Sequence, residues 1–132
     1  MVKIKNSTEI GHYYDNSVMT ILNGHGSNSG ITEGYINKIM ENIADLDNIG
    51  AEDIIVVDQP TLHVIPALNI VNGIIVSNGR INSRLAIISR ELGTPCIVGT
   101  GKATEKLVDK EKLILDSDKG VAFQIILKET IL

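Results

Sequence analysis

The chain has 132 residues, 43% of them hydrophobic, with a mean hydropathy of +0.15, which supports one domain with a substantial core. A net charge of −4 and a pI near 5.3 leave no basic footprint for nucleic acid. No apolar run approaches membrane-span length and no signal-peptide core opens the sequence, so a cytoplasmic protein with no membrane partner is expected.

With only three tyrosines, one phenylalanine and no tryptophan, the core must be built from Ile, Leu and Val, which favours buried strands. The single cysteine, Cys96, excludes an internal disulfide and fits a reducing compartment. In the run CIVG it reads as a small buried hydrophobe rather than a reactive thiol.

In chain order, the polar opening NSTEIGHYYDNS reads as a loose arm or a short added strand. Ser17–Leu22 alternates weakly as a strand does, GHGSNSG reads as a loop, and Glu33–Met40 as a strand. Asn42–Ile49 fits a short helix or an irregular crossover. Asp53–Val57 and Gly73–Val76 are apolar runs typical of strands buried on both faces. Between them, Pro60 starts a turn and Pro66–Val71 reads as a short helix with proline in its first turn. Asn82 or Ser83 caps a helix running to about Leu92, which Gly93 stops and Pro95 follows. Leu85, Ile88 and Leu92 share one face at helical spacing. Cys96–Val98 is a strand and Ala103–Leu107 a helical turn; Lys112–Leu115 and Val121–Leu127 are closing strands joined by the turn SDKG. Strands alternating with short helices predict an α/β domain.

The stretch Ser77–Gly99, SNGRINSRLAIISRELGTPCIVG, resembles the signature of the phosphohistidine domain of phosphoenolpyruvate-utilising enzymes. That signature runs, in outline, Gly-Gly-x-Thr-Ser-His-x-Ala-Ile-x-Ala/Ser-Arg-Glu-x-Gly-x-Pro-x-x-Val-Gly. Gly79, Ser83, Ala86, Ile87, Ser89, Arg90, Glu91, Gly93, Pro95, Val98 and Gly99 fall in register with it. Arg80 stands at the second glycine, Asn82 at the threonine and Arg84 at the phosphorylated histidine. Four further pieces resemble the family in the right order: GHGSNSGITEG through Gly24, Gly30 and Gly34; DIIVVDQPTLHVIP through Asp53, Val56 and Pro66, with Thr61 displaced by one position; GTGKATEKL; and LILDSDKG. The resemblance implies a swivelling β/β/α phosphohistidine-like domain over 24–132, with 1–23 as an N-terminal extension. In the family this domain carries phosphoryl on its histidine between a nucleotide site and a second substrate site on other domains, and no cofactor is implied for the domain itself.

Phosphoryl carriage needs a neutral imidazole with a lone pair, and the guanidinium of Arg84 has none at any accessible pH. A long cation at position 80 also fills space that a paired glycine leaves for a phosphoryl group. Arg80 and Arg84 put two cations near a helix N-terminus, whose free N–H groups and dipole favour anions. Gly79, Arg80, Asn82, Ser83, Arg84 and Arg90 are therefore the candidate ligand-binding residues, beside the reading that Arg80 and Arg84 are solvated surface residues. Arg90 matches the family's own Arg-Glu pair and is expected first to bond a neighbouring loop. His63 is the surrogate candidate for the histidine, in a loop that in the family lies near the phosphohistidine loop. His12 and His25 read as exposed bystanders. Ser83 and Thr61 have no evident base to activate them, and Asp58, Asp116 and Asp118 show no metal spacing.

Three roles follow. The first is a degenerate stand-alone domain that binds a phosphate-bearing ligand or a protein partner non-covalently and is not an enzyme alone. The second is the phosphoryl-carrier subunit of a split phosphoenolpyruvate synthase or pyruvate phosphate dikinase, working through His63 with a nucleotide-binding or phosphoenolpyruvate-binding partner chain, because 132 residues leave no room for those domains. The third is a homo-oligomerisation unit pairing through an exposed sheet edge at Ser17–Leu22 or Val121–Leu127.

Overall fold

Runs of Ile and Val without a polar interruption build the centre of the molecule. In the computed structural model, which describes residues 12–39, 46 and 48–131, they form strands of one eight-stranded sheet. The strands are β1 (His12–Asn23), β2 (His25–Gly26), β3 (Ile31–Ile39), β4 (Asp53–Val57), β5 (Gly73–Val76), β6 (Cys96–Val98), β7 (Lys112–Asp116) and β8 (Val121–Ile131). The sheet order is β1-β8-β7-β3-β4-β5-β6-β2. β3, β4, β5 and β6 run parallel, and the remaining pairings are antiparallel.

The period-2 geometry of a strand sends successive side chains to opposite faces, and both faces are covered here. Ile55, Val57, Ile74, Val76, Cys96 and Val98 join one core. Their immediate neighbours Ile54, Val56, Ile75 and Ile97 join the other. The first core is closed by a 3₁₀ helix (Leu62–Ala67) and by helix α1 (Arg84–Leu92), through Val64, Ala67, Leu85 and Ala86. The second is closed by Ala103 and Leu107 around the short helix α2 (Ala103–Lys106), and by Leu22, Leu113, Leu115 and Ala122.

Most expected elements form where the sequence places them, with four differences. The helix expected over Pro66–Val71 is instead the 3₁₀ turn Leu62–Ala67, with Pro66 near its end. Thr61 starts it early: its hydroxyl accepts the His63 N–H at 3.3 Å. Leu92 shares the angular face of Leu85 but is 43% exposed, because α1 ends there and the chain turns away through Gly93 at φ 75°. Ser89 is buried on α1 instead, its hydroxyl returned to the Leu85 carbonyl at 2.9 Å. The GHGSNSG loop contains β2, held against β6 with His25 opposite Val98.

The fourth difference concerns the sheet edges. Val121–Leu127 is no edge: it belongs to β8, which lies between β1 and β7. Ser17–Leu22 lies within β1, which is an outer strand, paired with β8 from His12↔Ile131 to Asn23↔Val121 with a register shift between Asp15 and Val18. The opening residues before His12 and most of the Asn42–Ile49 expectation lie outside the described residues. No described helix is long and apolar enough to cross a membrane.

Candidate functional site

Parallel strands end at one edge of a sheet, and the crevice outside their carboxyl ends is where open α/β sheets place ligands. Here β4, β5 and β6 deliver to that edge the loops at 58–61, 77–83 and 99–102. The three loops are sewn together by their own polar groups. The backbone N–H of Asn78 donates to the Asp58 carbonyl at 2.9 Å, and the Asn78 side chain reaches the same carbonyl at 3.1 Å and Asp58 Oδ1 at 3.3 Å. The Gly101 N–H donates to the Ser77 carbonyl at 2.9 Å, and the buried Ser77 hydroxyl accepts the Ala103 N–H at 3.1 Å. Gly79, at φ 118°, lies in a region that L side chains avoid, and a Cβ there would meet Pro60 at 3.3 Å.

The 77–83 loop feeds directly into α1. Ser83, not Asn82, is the N-cap: its hydroxyl accepts the Ala86 N–H at 3.2 Å, and its own N–H donates to the Arg80 carbonyl at 2.9 Å. Helix geometry leaves the N–H groups of Arg84 and Leu85 without intrahelical acceptors. Arg84 is the first residue of α1, and Arg80, Asn82 and Arg84 are all exposed. Among the described residues neither Arg80 nor Arg84 forms an ion pair; the salt bridge found there is Lys112 Nζ to Glu33 Oε1 at 3.6 Å, across β7 and β3. The loop therefore presents two cations that are unpaired among the described residues, and the positive end of a nine-residue helix, on a chain of net charge −4.

The expected site residues do not all converge. Gly79, Arg80, Asn82, Ser83 and Arg84 belong to this loop and cap. His63 is exposed in the 3₁₀ helix that follows the 58–61 loop, whose Pro60 lies beside Gly79, and its Nδ1 lies 3.1 Å from the Thr61 hydroxyl. Arg90 is turned to structural use: Nε donates to the Ser27 carbonyl at 2.6 Å and Nη2 to the Ile81 carbonyl at 3.1 Å. Cys96 is fully buried, and burial raises its thiol above the ordinary value; the Ser27 and Ser89 hydroxyls and the Arg90 cation oppose that shift without cancelling it. No cluster of metal-ligating side chains occurs among the described residues. His25, read from the sequence as a bystander, lies at this same edge.

Comparison with known proteins places this geometry in a family. The family described as PEP-utilising enzyme, mobile domain, matches residues 49–120. A probable phosphoenolpyruvate synthase of Methanothermobacter thermautotrophicus is 38% identical over 104 residues, covering 79% of this chain and 15% of that protein. The phosphoenolpyruvate synthase of Pyrococcus furiosus is 33% identical over 111 residues, covering 84% and 14%. That of Escherichia coli is 31% identical over 83 residues, covering 63% and 10%. The chain thus spans a small fraction of the length of these relatives. Two solved structures share the fold alone: the holo-form of Thermococcus kodakaraensis aconitase X, with a TM-score of 0.60 at 22% identity over 81% of this chain and 98% of that one, and a UPF0107 protein, with 0.56 at 16% over 78% and 97%. By the family match and by these relatives, the chain belongs to the mobile-domain family of phosphoenolpyruvate-utilising enzymes.

Proposed function

We propose that this mobile domain binds a phosphate-bearing ligand non-covalently at the start of α1, on its own or as part of a complex with a partner that supplies nucleotide-binding or phosphoenolpyruvate-binding domains. The observation that carries the reading is Arg84. It is the first residue of α1, and on the sequence resemblance it takes the place of the family's phosphoacceptor histidine. A guanidinium there cannot form a labile N–P bond, whereas it can donate a bidentate fork to phosphate or carboxylate beside the unpaired amides of the helix start. Arg80 adds a second cation four residues earlier in the same loop. On this reading the scaffold of a phosphoryl carrier persists as a recognition unit. The matched region makes up 15% and 14% of two phosphoenolpyruvate synthase relatives, which supports a partner domain or chain for this one.

The test is a titration of the full chain with inorganic phosphate and with phosphoenolpyruvate, followed through the arginine Nε–Hε resonances. Saturable shifts at Arg80 and Arg84, lost in Arg84→Gln and weakened roughly tenfold in Arg80→Gln, are expected, in keeping with a charge-assisted hydrogen bond. Shifts that do not saturate, or that survive both substitutions, contradict the reading.

A second reading has one specific observation in its favour. The Thr61 hydroxyl lies 3.1 Å from His63 Nδ1, a contact that engages one ring nitrogen of an exposed side chain and leaves Nε2 as the other. A phosphoryl carrier of a split phosphotransferase would use that nitrogen. Phosphorylation lost in His63→Gln and kept in Arg84→Gln would favour it over the non-covalent reading.

A further inference from the structure

We propose that the segment 24–30 is a strap that opens as a unit while the rest of the domain stays folded, that Arg90 is its latch, and that its opening turns the buried Cys96 thiol into a modification site.

The segment reads GHGSNSG, and none of its side chains joins either hydrophobic core. Its one strand, β2, has two residues and is an outermost strand of the sheet. Both ends are moored to the turn between β7 and β8. The Gly24 N–H donates to the Gly120 carbonyl at 2.8 Å, and the Gly30 carbonyl accepts the Ser117 N–H at 2.9 Å and the Ser117 hydroxyl at 3.0 Å. Gly30, at φ 136°, has a backbone freedom that side chains remove. A glycine-ended segment held by hydrogen bonds at a sheet edge, with no apolar side chain buried, belongs to the low end of local stability.

The middle of the segment lies on Cys96. The Ser27 N–H donates to the Cys96 carbonyl at 3.0 Å, and the Cys96 N–H donates to Asn28 Oδ1 at 3.2 Å. Asn28 Nδ2 donates to the Thr94 carbonyl at 2.7 Å. The Ser27 hydroxyl faces the Cys96 thiol and is otherwise buried without a partner, which weakens the closed arrangement. Cys96 is 0% exposed, so reagents in solution reach its sulfur only after this cover has moved. The strongest single tie across the strap comes from α1: Arg90 Nε donates to the Ser27 carbonyl at 2.6 Å, while Nη2 holds the Ile81 carbonyl at 3.1 Å. One guanidinium therefore clasps the strap to the loop 77–83. Once the strap lifts, water reaches the thiol, its proton is lost more readily, and the thiolate is free to react.

The test labels the full chain with an aromatic disulfide reagent at fixed pH. The Cys96 thiol gives its proton to solvent, the thiolate attacks one sulfur of the reagent to form a mixed disulfide, and the other half leaves as a coloured thiolate. Cys96 is the single cysteine, so the colour reports this site alone. The open fraction obtained from the labelling rate should exceed the globally unfolded fraction from urea by roughly a hundredfold. Arg90→Ala and Asn28→Ala should each speed labelling at least roughly fivefold, because both remove bonds that only the closed strap makes. Gln124→Leu, far from the strap in the sheet, should raise the globally unfolded fraction and leave labelling within about threefold of the parent. The Ser27 and Cys96 amides should exchange with solvent together, with the same open fraction as the labelling. An open fraction equal to the globally unfolded one, or labelling that follows the stability loss of Gln124→Leu, overturns the proposal. So does labelling that neither strap variant speeds, or that is immediate in the parent. If Arg90→Ala fails to fold, the parent, Asn28→Ala and Gln124→Leu decide the question without it.

Discussion

Arg90 Nε donates to the carbonyl of Ser27 across 2.6 Å, joining residues 63 apart in sequence. With Nη2 on the Ile81 carbonyl, one guanidinium ties α1 to both the glycine-rich loop before β3 and the loop that carries Arg80. The fork geometry of arginine makes this double reach available, and lysine cannot reproduce it. The side chain thus sets where α1 begins relative to the sheet, which is where the candidate site is.

Removing that tie should loosen the site before it unfolds the domain. Arg90→Ala is expected to cost about 1.5 kcal/mol, in the range for hydrogen bonds from a charged donor with partial solvent access. Arg90→Lys should recover less than half. Urea unfolding measures both, and a variant as stable as the parent would show that the two carbonyls find other donors without loss.

Gln124 offers a sharper stability test. It is fully buried, and its side-chain amide closes both hydrogen bonds on one backbone residue: Nε2 to the Val108 carbonyl at 2.9 Å and the Val108 N–H to Oε1 at 2.8 Å. Gln124→Leu keeps the volume and leaves both Val108 groups unpaired, so a loss of about 3 kcal/mol is expected. Faster hydrogen exchange at the Val108 amide would locate the damage. A loss below about 1 kcal/mol would mean that water enters and replaces the amide.

Cys96 gives a pH signature. Burial raises its thiol above the ordinary 9.0, so above that pH the folded chain retains a proton that the unfolded chain has released. The contribution to stability is therefore fully present below pH 9.0 and falls as pH rises beyond it. Urea unfolding at pH 8 and pH 10 should show a larger drop for the parent than for Cys96→Ala, and a thiol reagent should react only as fast as the chain opens. Parallel drops in the two proteins, or immediate labelling, would contradict the burial.

Much of this was legible in the sequence, for reasons that differ by element. Asp53–Val57, Gly73–Val76 and Cys96–Val98 could be read because strands covered on both faces need unbroken apolar runs. The start and stop of α1 could be read because Ser83 and Gly93 are chemically suited to the cap and to a left-handed residue. The 3₁₀ turn was misplaced because Pro66 satisfies both a helix start and a 3₁₀ interior, and the deciding Thr61 hydroxyl bond is a matter of geometry rather than composition. Val121–Leu127, one of the two edges the sequence offers, lies inside the sheet because strand order depends on long-range pairing with β1 that no local pattern encodes. Within the candidate site, the 79–84 loop was visible through its motif. The place of His25 beside Gly99 was not, since it exists only after β2 has joined β6.

The central claim is that the chain binds phosphate without carrying it at position 84. Intact mass under alkaline conditions, which preserve phosphohistidine, tests this most directly. The chain and its Arg84→His variant would each be incubated with ATP, phosphoenolpyruvate and a lysate containing a full-length phosphoenolpyruvate synthase. The account predicts an unchanged mass for the parent under conditions in which the variant gains one phosphoryl group. A phosphoryl group on the parent chain would contradict it and send the search to His63 and His25.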